Sequence, residues 1–206
     1  MLLWAGLCLL GLGLAAFAID RQATHFFHDR LAAHWFRRIR RTTDFAKGSH
    51  WLAAAILIIG LTYAARLAMG DVLFLLRLWR AAIAFLACLA VSSAILHSIK
   101  LVCGRRRPRD ELEHELYGFR FFHYDSQHDS FPSGHAMTIF CVAIVLAGLF
   151  PLLAWLWFGL ALYLALTRAF LNAHFLSDVL IGAAIGLLAS RETLLFLFPD
   201  LTHPWF

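Results

Sequence analysis

Apolar runs separated by short polar segments set the pattern of this 206-residue chain. A helix needs about 20 consecutive apolar residues to cross the hydrocarbon core of a bilayer. By that measure the runs predict six spans, at residues 1–19, 50–69, 80–99, 135–150, 152–172 and 175–198, the fourth being close to the lower length limit. Pro151, between Phe150 and Leu152, marks a tight turn, because proline removes an amide donor and disfavours helix at the preceding residue. Spans four and five are therefore expected to form a helical hairpin. No Lys or Arg precedes the first run, so an uncleaved helix is expected there, although Ala16-Phe17-Ala18 has the small residues of a leader cleavage site. Between spans one and two, Phe27, Leu31, Trp35 and Ile39 recur every four residues among Arg30, Arg37, Arg38 and Arg41. That spacing predicts one amphipathic helix over 24–41, lying at the level of the lipid head groups.

Composition narrows the class. With 61% hydrophobic and 15% charged residues, the chain has too little polar surface for a water-soluble globule. The net charge of +5 suits contact with anionic lipid head groups, and the long apolar runs exclude the nucleic-acid partner that a basic balance would otherwise allow. Cys8, Cys88 and Cys141 fall inside spans and Cys103 lies in a basic loop, with no paired metal-ligand spacing, so structural disulfides are not expected. There is no internal repeat or linker. The fold expected is a single all-α integral membrane domain over 1–206, a six-transmembrane-helix bundle.

Alternating the direction of six helices puts the segments after spans one, three and five on one face, and three polar patches belong to that face. In the third patch, Arg168, His174 and Asp178 read R-x5-H-x3-D. His174 and Asp178, four apart, share a face if the sixth helix starts near His174. Asp178 then orients the imidazole by accepting one ring proton, and His174 becomes the candidate nucleophile. The forked guanidinium of Arg168 suits phosphate oxygens. In the second patch, Pro132-Ser133-Gly134-His135, proline suits a helix start, and Ser133 and Gly134 offer donors at the positive helix end. His135 is placed to protonate a departing alcohol oxygen. In the first patch, Lys100 and Arg107, followed by Pro108, supply two cations for the same anion, whereas Arg105, Arg106 and Arg109 read as snorkelling anchors. Each patch alone also fits a plain helix-surface pair, cap or anchor; their occurrence together favours an oxyanion site. Reading His135, His174 and Asp178 as metal ligands fits less well, because the neighbouring cations oppose a metal. No metal and no cofactor are therefore expected.

At these residues the chain resembles the type 2 phosphatidic acid phosphatase superfamily, which also contains vanadium haloperoxidases. The signature K-x6-R-P, P-S-G-H, S-R-x5-H-x3-D occurs in order, with Thr167 in place of serine and its hydroxyl kept. The resemblance implies a metal-independent membrane phosphatase. His174 would form a phosphohistidine, His135 would protonate the leaving group, water would release phosphate, and Lys100, Arg107 and Arg168 would offset charge on the equatorial oxygens. The expected partner is a phosphorylated lipid: lipid A, undecaprenyl diphosphate, phosphatidylglycerophosphate or phosphatidic acid. A lipid phosphotransferase using the same site, and a transporter or binding protein, are the alternatives. The stretch from Glu111 to His123, acidic and then aromatic, reads as a lid over the site or as packing on the helix ends. Of the 18 Lys and Arg residues, 14 fall on the motif-bearing face and four, Arg66, Arg77, Arg80 and Arg191, on the other. A positive-inside reading puts that face in the cytoplasm. The bacterial proteins that the chain resembles work instead on the periplasmic face of the inner membrane, which is the location expected here.

Overall fold

The structure is a computed structural model that describes residues 1–122 and 128–206; His123, the last residue of the aromatic stretch, lies outside the described residues. Nine helices are described: α1 (Leu2–Ala16), α2 (Asp20–Arg30), α3 (Ala33–Thr43), α4 (Gly48–Met69), α5 (Leu73–Val102), α6 (Pro108–His114), α7 (Gly134–Leu149), α8 (Ala154–Phe170) and α9 (Leu176–Leu197). A short antiparallel pair, β1 (Cys103–Arg105) with β2 (Phe119–Phe121), follows α5 in register Gly104 opposite Arg120.

The protein is an all-α membrane protein in its architecture, and the helices do not confirm the count of six full spans. Among the described residues, four segments are long and apolar enough to cross a bilayer: α4, α5, Pro151–Phe170 and α9. The first predicted span stops at Ala16, and the chain bends by 85° into α2; the two count as a fifth span only if taken together. The bend is anchored by Asp20, whose carboxylate is fully buried and bonded to Arg105 and Ser177. A carboxylate so placed ends an apolar run and starts a polar helix. The fourth predicted span, α7, has only 16 residues, bounded by the Ser133 cap and by Pro151. Eleven of its residues are buried among other helices, so the protein surrounds it and it need not match the bilayer on its own. The amphipathic segment is two helices, α2 and α3, separated by extended backbone at Leu31 and Ala32. The third span grows to the 30 residues of α5, about 45 Å at the α-helical rise.

The long helices gather around α9, the most buried of the spanning segments. Lipid tails are as apolar as leucine, so helices in a bilayer gain most from close backbone approach at small residues. Gly182 and Gly186 provide that approach on α9. A Cβ on either would lie 2.3 Å from a carbonyl oxygen of the α7 segment, Ser133 O and Met137 O respectively. On the lipid-facing side, α4 leaves Ile56, Leu57 and Leu61 exposed, as a bilayer-facing helix should.

The two ends of the bundle differ. At one, Leu2 N–H donates to Trp205 O (3.2 Å) and Arg80 pairs with Asp200 (2.7 Å), so both chain ends lie there. At the other, α2, the β1–β2 pair, α6 and the starts of α7 and α9 meet through Arg21–Glu111 (2.6 Å), Arg105–Asp20 (2.7 Å) and Ser133 N–H to Asp178 O (2.9 Å). All three polar patches are at that second end.

Candidate functional site

A cavity of about 470 Å³ opens at the polar end, and Lys100, Arg107, Asp129, His135, Arg168 and His174 line it. Its floor is apolar, from Leu52, Leu89 and Leu96 on α4 and α5. Lys100, a buried residue, reaches it from the last turn of α5, and Arg107 is the residue before α6. The Lys100 ammonium donates to the backbone carbonyl of Asp129. Arg107 grips the Asp129 carboxylate through Nε (2.9 Å) and Nη2 (2.6 Å). Two of the three predicted cations are therefore gathered by one residue, Asp129, that the motif reading did not single out.

Arg168 lies in the last turn of α8, and the chain folds back on its carbonyl: the N–H groups of Ala173 and His174 donate to Arg168 O at 3.0 and 3.2 Å. That reverse loop brings His174 beside Arg168. It needs a left-handed residue, supplied by Asn172 at φ 50°. Arg168 Nε is buried with no partner among the described residues, and Nη1 lies 3.5 Å from Thr43 Oγ1. Thr167, the residue that departs from the serine of the pattern, turns its hydroxyl to Thr43 Oγ1 (2.9 Å) and Leu164 O (2.5 Å). Its hydroxyl therefore ties α8 to the end of α3 and does not line the cavity.

His174 sits two residues before α9, which starts at Leu176, close to the start at 175 expected for the sixth span. Its Nδ1 lies 2.8 Å from the Ser130 carbonyl oxygen, which can only accept, so Nδ1 carries the proton and Nε2 keeps its lone pair. Asp178 Oδ2 is further from Nδ1, at 3.8 Å. That carboxylate is committed to the Ser130 hydroxyl (2.6 Å), the Phe175 N–H (2.9 Å) and Arg105. The direct Asp178–His174 bond expected from the four-residue spacing is thus replaced by a bridge through Ser130. Burial pushes the His174 pKa below the ordinary imidazole value, with Arg168 and Arg107 adding to the effect and Asp178 opposing it. A lowered pKa favours the neutral ring, the form that keeps a lone pair on Nε2.

Ser133 caps α7 and is fully buried; its Oγ has no partner among the described residues, and it does not line the cavity. Gly134 does line it, with open space where a Cβ would stand, and His135 follows in the first turn of α7. The α7 N-terminus therefore presents its positive end to a cavity already lined by three cations, which suits an oxyanion. Among the described residues no group of three His, Cys, Asp or Glu side chains could hold a metal ion. Arg105, read from sequence as a surface anchor, is instead fully buried. A cation is legible in sequence, but its burial depends on aromatic residues far along the chain.

Comparison with known proteins bears on this arrangement. The family model of the PAP2 superfamily matches residues 81–200, from within α5 to just past α9, and so includes all three polar patches. This chain belongs to the PAP2 superfamily. Two similar proteins are both named lipid A 1-phosphatase. That of Rhizobium johnstonii is 34% identical over 95 residues, 46% of this chain and 39% of the relative. That of Rhizobium etli is 31% identical over 142 residues, 59% of this chain and 61% of the relative. The chain thus spans about two fifths to three fifths of the length of these relatives. The crystal structure of a transmembrane PAP2-type phosphatidylglycerolphosphate phosphatase from Bacillus subtilis superposes with a TM-score of 0.59, covering 93% of this chain and 94% of that one. At 20% identity, that likeness shows a shared PAP2 fold.

Proposed function

We propose that this PAP2 protein is a metal-independent phosphatase for a phosphorylated lipid, working through a phosphohistidine. The observation that carries this reading is the cavity itself, where Lys100, Arg107 and Arg168 surround two imidazoles at a helix N-terminus. His174 Nε2 attacks phosphorus as the bond to the lipid oxygen breaks, and His135 gives that oxygen its proton. The substrate dianion, held beside His135, favours the protonated ring needed for this step. A water then attacks the phosphohistidine, His135 takes its proton, and inorganic phosphate leaves. The three cations stabilise the charge spread over the equatorial oxygens, which is the main task of any protein in phosphoryl transfer. Asp129 yields Arg107 and Lys100 to the incoming phosphate.

The names of the two Rhizobium relatives nominate lipid A, at its 1-phosphate, as substrate. The test is phosphate release by the purified chain from a panel containing lipid A, undecaprenyl diphosphate, phosphatidylglycerophosphate and phosphatidic acid. Fastest turnover of lipid A with loss of its 1-phosphate supports the nomination. Turnover of another lipid alone overturns the nomination, and release from none overturns the phosphatase reading.

A further inference from the structure

We propose that Asp20 and Arg105 form a positioning pair which holds Asp178, and through it Ser130 and His174, in register for attack on phosphorus. The proposal rests on the reading of His174 as nucleophile. Neither residue of the pair lines the cavity, and both are fully buried. The Arg105 guanidinium works as a two-sided clamp. Nη1 donates to Asp178 Oδ1 and to Ser177 Oγ (2.7 Å); Nη2 donates to Asp20 Oδ2 (2.7 Å) and to Tyr117 OH (2.8 Å). Four rings close around it, with centroids 4.2 Å (Phe175), 4.8 Å (Phe17), 5.0 Å (Phe119) and 5.2 Å (Tyr117) from Cζ. Water is excluded, so the two carboxylates have no alternative partner of comparable strength.

From this clamp a line of bonds leads to the reacting nitrogen. Asp178 Oδ2 accepts from Ser130 Oγ, and Ser130 O accepts the Nδ1 proton of His174. The backbone of Arg105 holds the same strand of chain, since its N–H donates to His128 O (2.8 Å) and its carbonyl accepts from Ser130 N–H (3.1 Å). Asp20 closes the other side by accepting the Ser177 N–H (3.0 Å) in the first turn of α9, where a negative charge is favoured. The arrangement thus joins the start of α2, β1 and the start of α9 around one imidazole. Only a planar fork reaches carboxylates on both flanks; a lysine would satisfy one. A buried ion network gives little stability that well-packed apolar residues could not supply. Its specific product here is the fixed direction of the His174 ring.

The test uses the full chain in detergent micelles and a radiolabelled aryl phosphate, comparing wild type with Arg105→Lys and the charge-matched double variant Asp20→Asn/Arg105→Met. In the double variant kcat and the rate of phosphoenzyme formation should fall about tenfold or more, while KM and the inhibition constant of inorganic phosphate stay within about twofold. Arg105→Lys should recover part of the loss, because it restores the charge but not the fork. Unchanged kcat in the double variant, or a fall in kcat matched by an equal rise in KM and in the phosphate inhibition constant, would overturn the proposal. If the double variant does not elute as a folded species, Asp20→Asn alone decides: a fall in kcat of about threefold or more at constant KM supports positioning, and no change in kcat overturns it. A wild type that forms no phosphohistidine sinks the nucleophile reading instead. A wild type that forms it no faster than the variants sinks the positioning pair alone.

Discussion

Replacing Gly182 by alanine should damage the site from a position that touches none of its reacting groups. A Cβ at residue 182 would stand 2.3 Å from Ser133 O and 3.1 Å from Ser133 N. These are backbone atoms of the α7 cap and cannot swing aside as the tip of a side chain would. To reach ordinary contact at 3.4 Å, α7 and α9 must part by about 1 Å at this level. That movement strains the bond from Ser133 N–H to Asp178 O (2.9 Å) and shifts Gly134 and His135 relative to His174. Overpacking of this kind costs about 1–3 kcal/mol. A displacement near 1 Å between reacting groups costs about a hundredfold in rate. The expected result is a Gly182→Ala variant that still folds, unfolds at a lower temperature, and has kcat reduced by about a hundredfold. Gly60→Ala on α4 is the control, because nothing lies within 4 Å of its would-be Cβ. It should keep full activity and gain up to about 1 kcal/mol of helix propensity. The assay pairs phosphate release in detergent with a thermal melt of the same sample. Full activity and an unchanged melt for Gly182→Ala would show that the α7–α9 contact does not set the site.

Three further outcomes follow from the site and its place in the bundle. His135→Ala should lose about a hundredfold or more on a lipid phosphate and far less on an activated aryl phosphate, whose leaving group needs no proton; equal losses would assign His135 to binding. Since burial lowers the His174 pKa, the neutral ring persists as pH falls, and activity is lost only below the ordinary imidazole pKa of about 6.5. The acid limb of kcat/KM for an aryl phosphate checks this, and a midpoint above that value contradicts it. For sidedness, Glu113→Cys on α6 and Met69→Cys at the opposite end of the bundle are made with the native cysteines replaced. A periplasmic site predicts impermeant labelling of the Glu113→Cys variant alone in intact spheroplasts; labelling of the Met69→Cys variant alone puts the site in the cytoplasm.

Spacing and hydropathy were enough to bring Lys100, Arg107, His135, Arg168 and His174 to one end of a helical membrane protein, because alternation of direction follows from the apolar runs. What spacing did not disclose was set by contacts distant in sequence. The bend after Ala16 depends on Asp20 finding Arg105, 85 residues on. Four residues on a helix predicted that Asp178 bonds His174 directly, yet Ser130, 44 residues before His174, takes the Nδ1 proton. The loop containing Ser130 carries no periodic signal. Arg105 had the look of one more interfacial cation, since only the aromatic shell from Phe17, Tyr117, Phe119 and Phe175 shows it to be interior. The shortness of α7 was visible in the run from His135 to Phe150, but its enclosure by the other helices was not.

The most direct measurement is rapid-quench trapping of the phosphoenzyme with radiolabelled substrate, followed by peptide mapping. The prediction is an acid-labile, base-stable phosphoryl group on His174 in the wild type, formed at least as fast as overall turnover. In His174→Ala it should be absent, with turnover abolished and the protein still eluting as a folded species. A normal phosphoenzyme in His174→Ala, or label mapped to any other residue, would contradict the assignment of His174 as the group that accepts the phosphoryl.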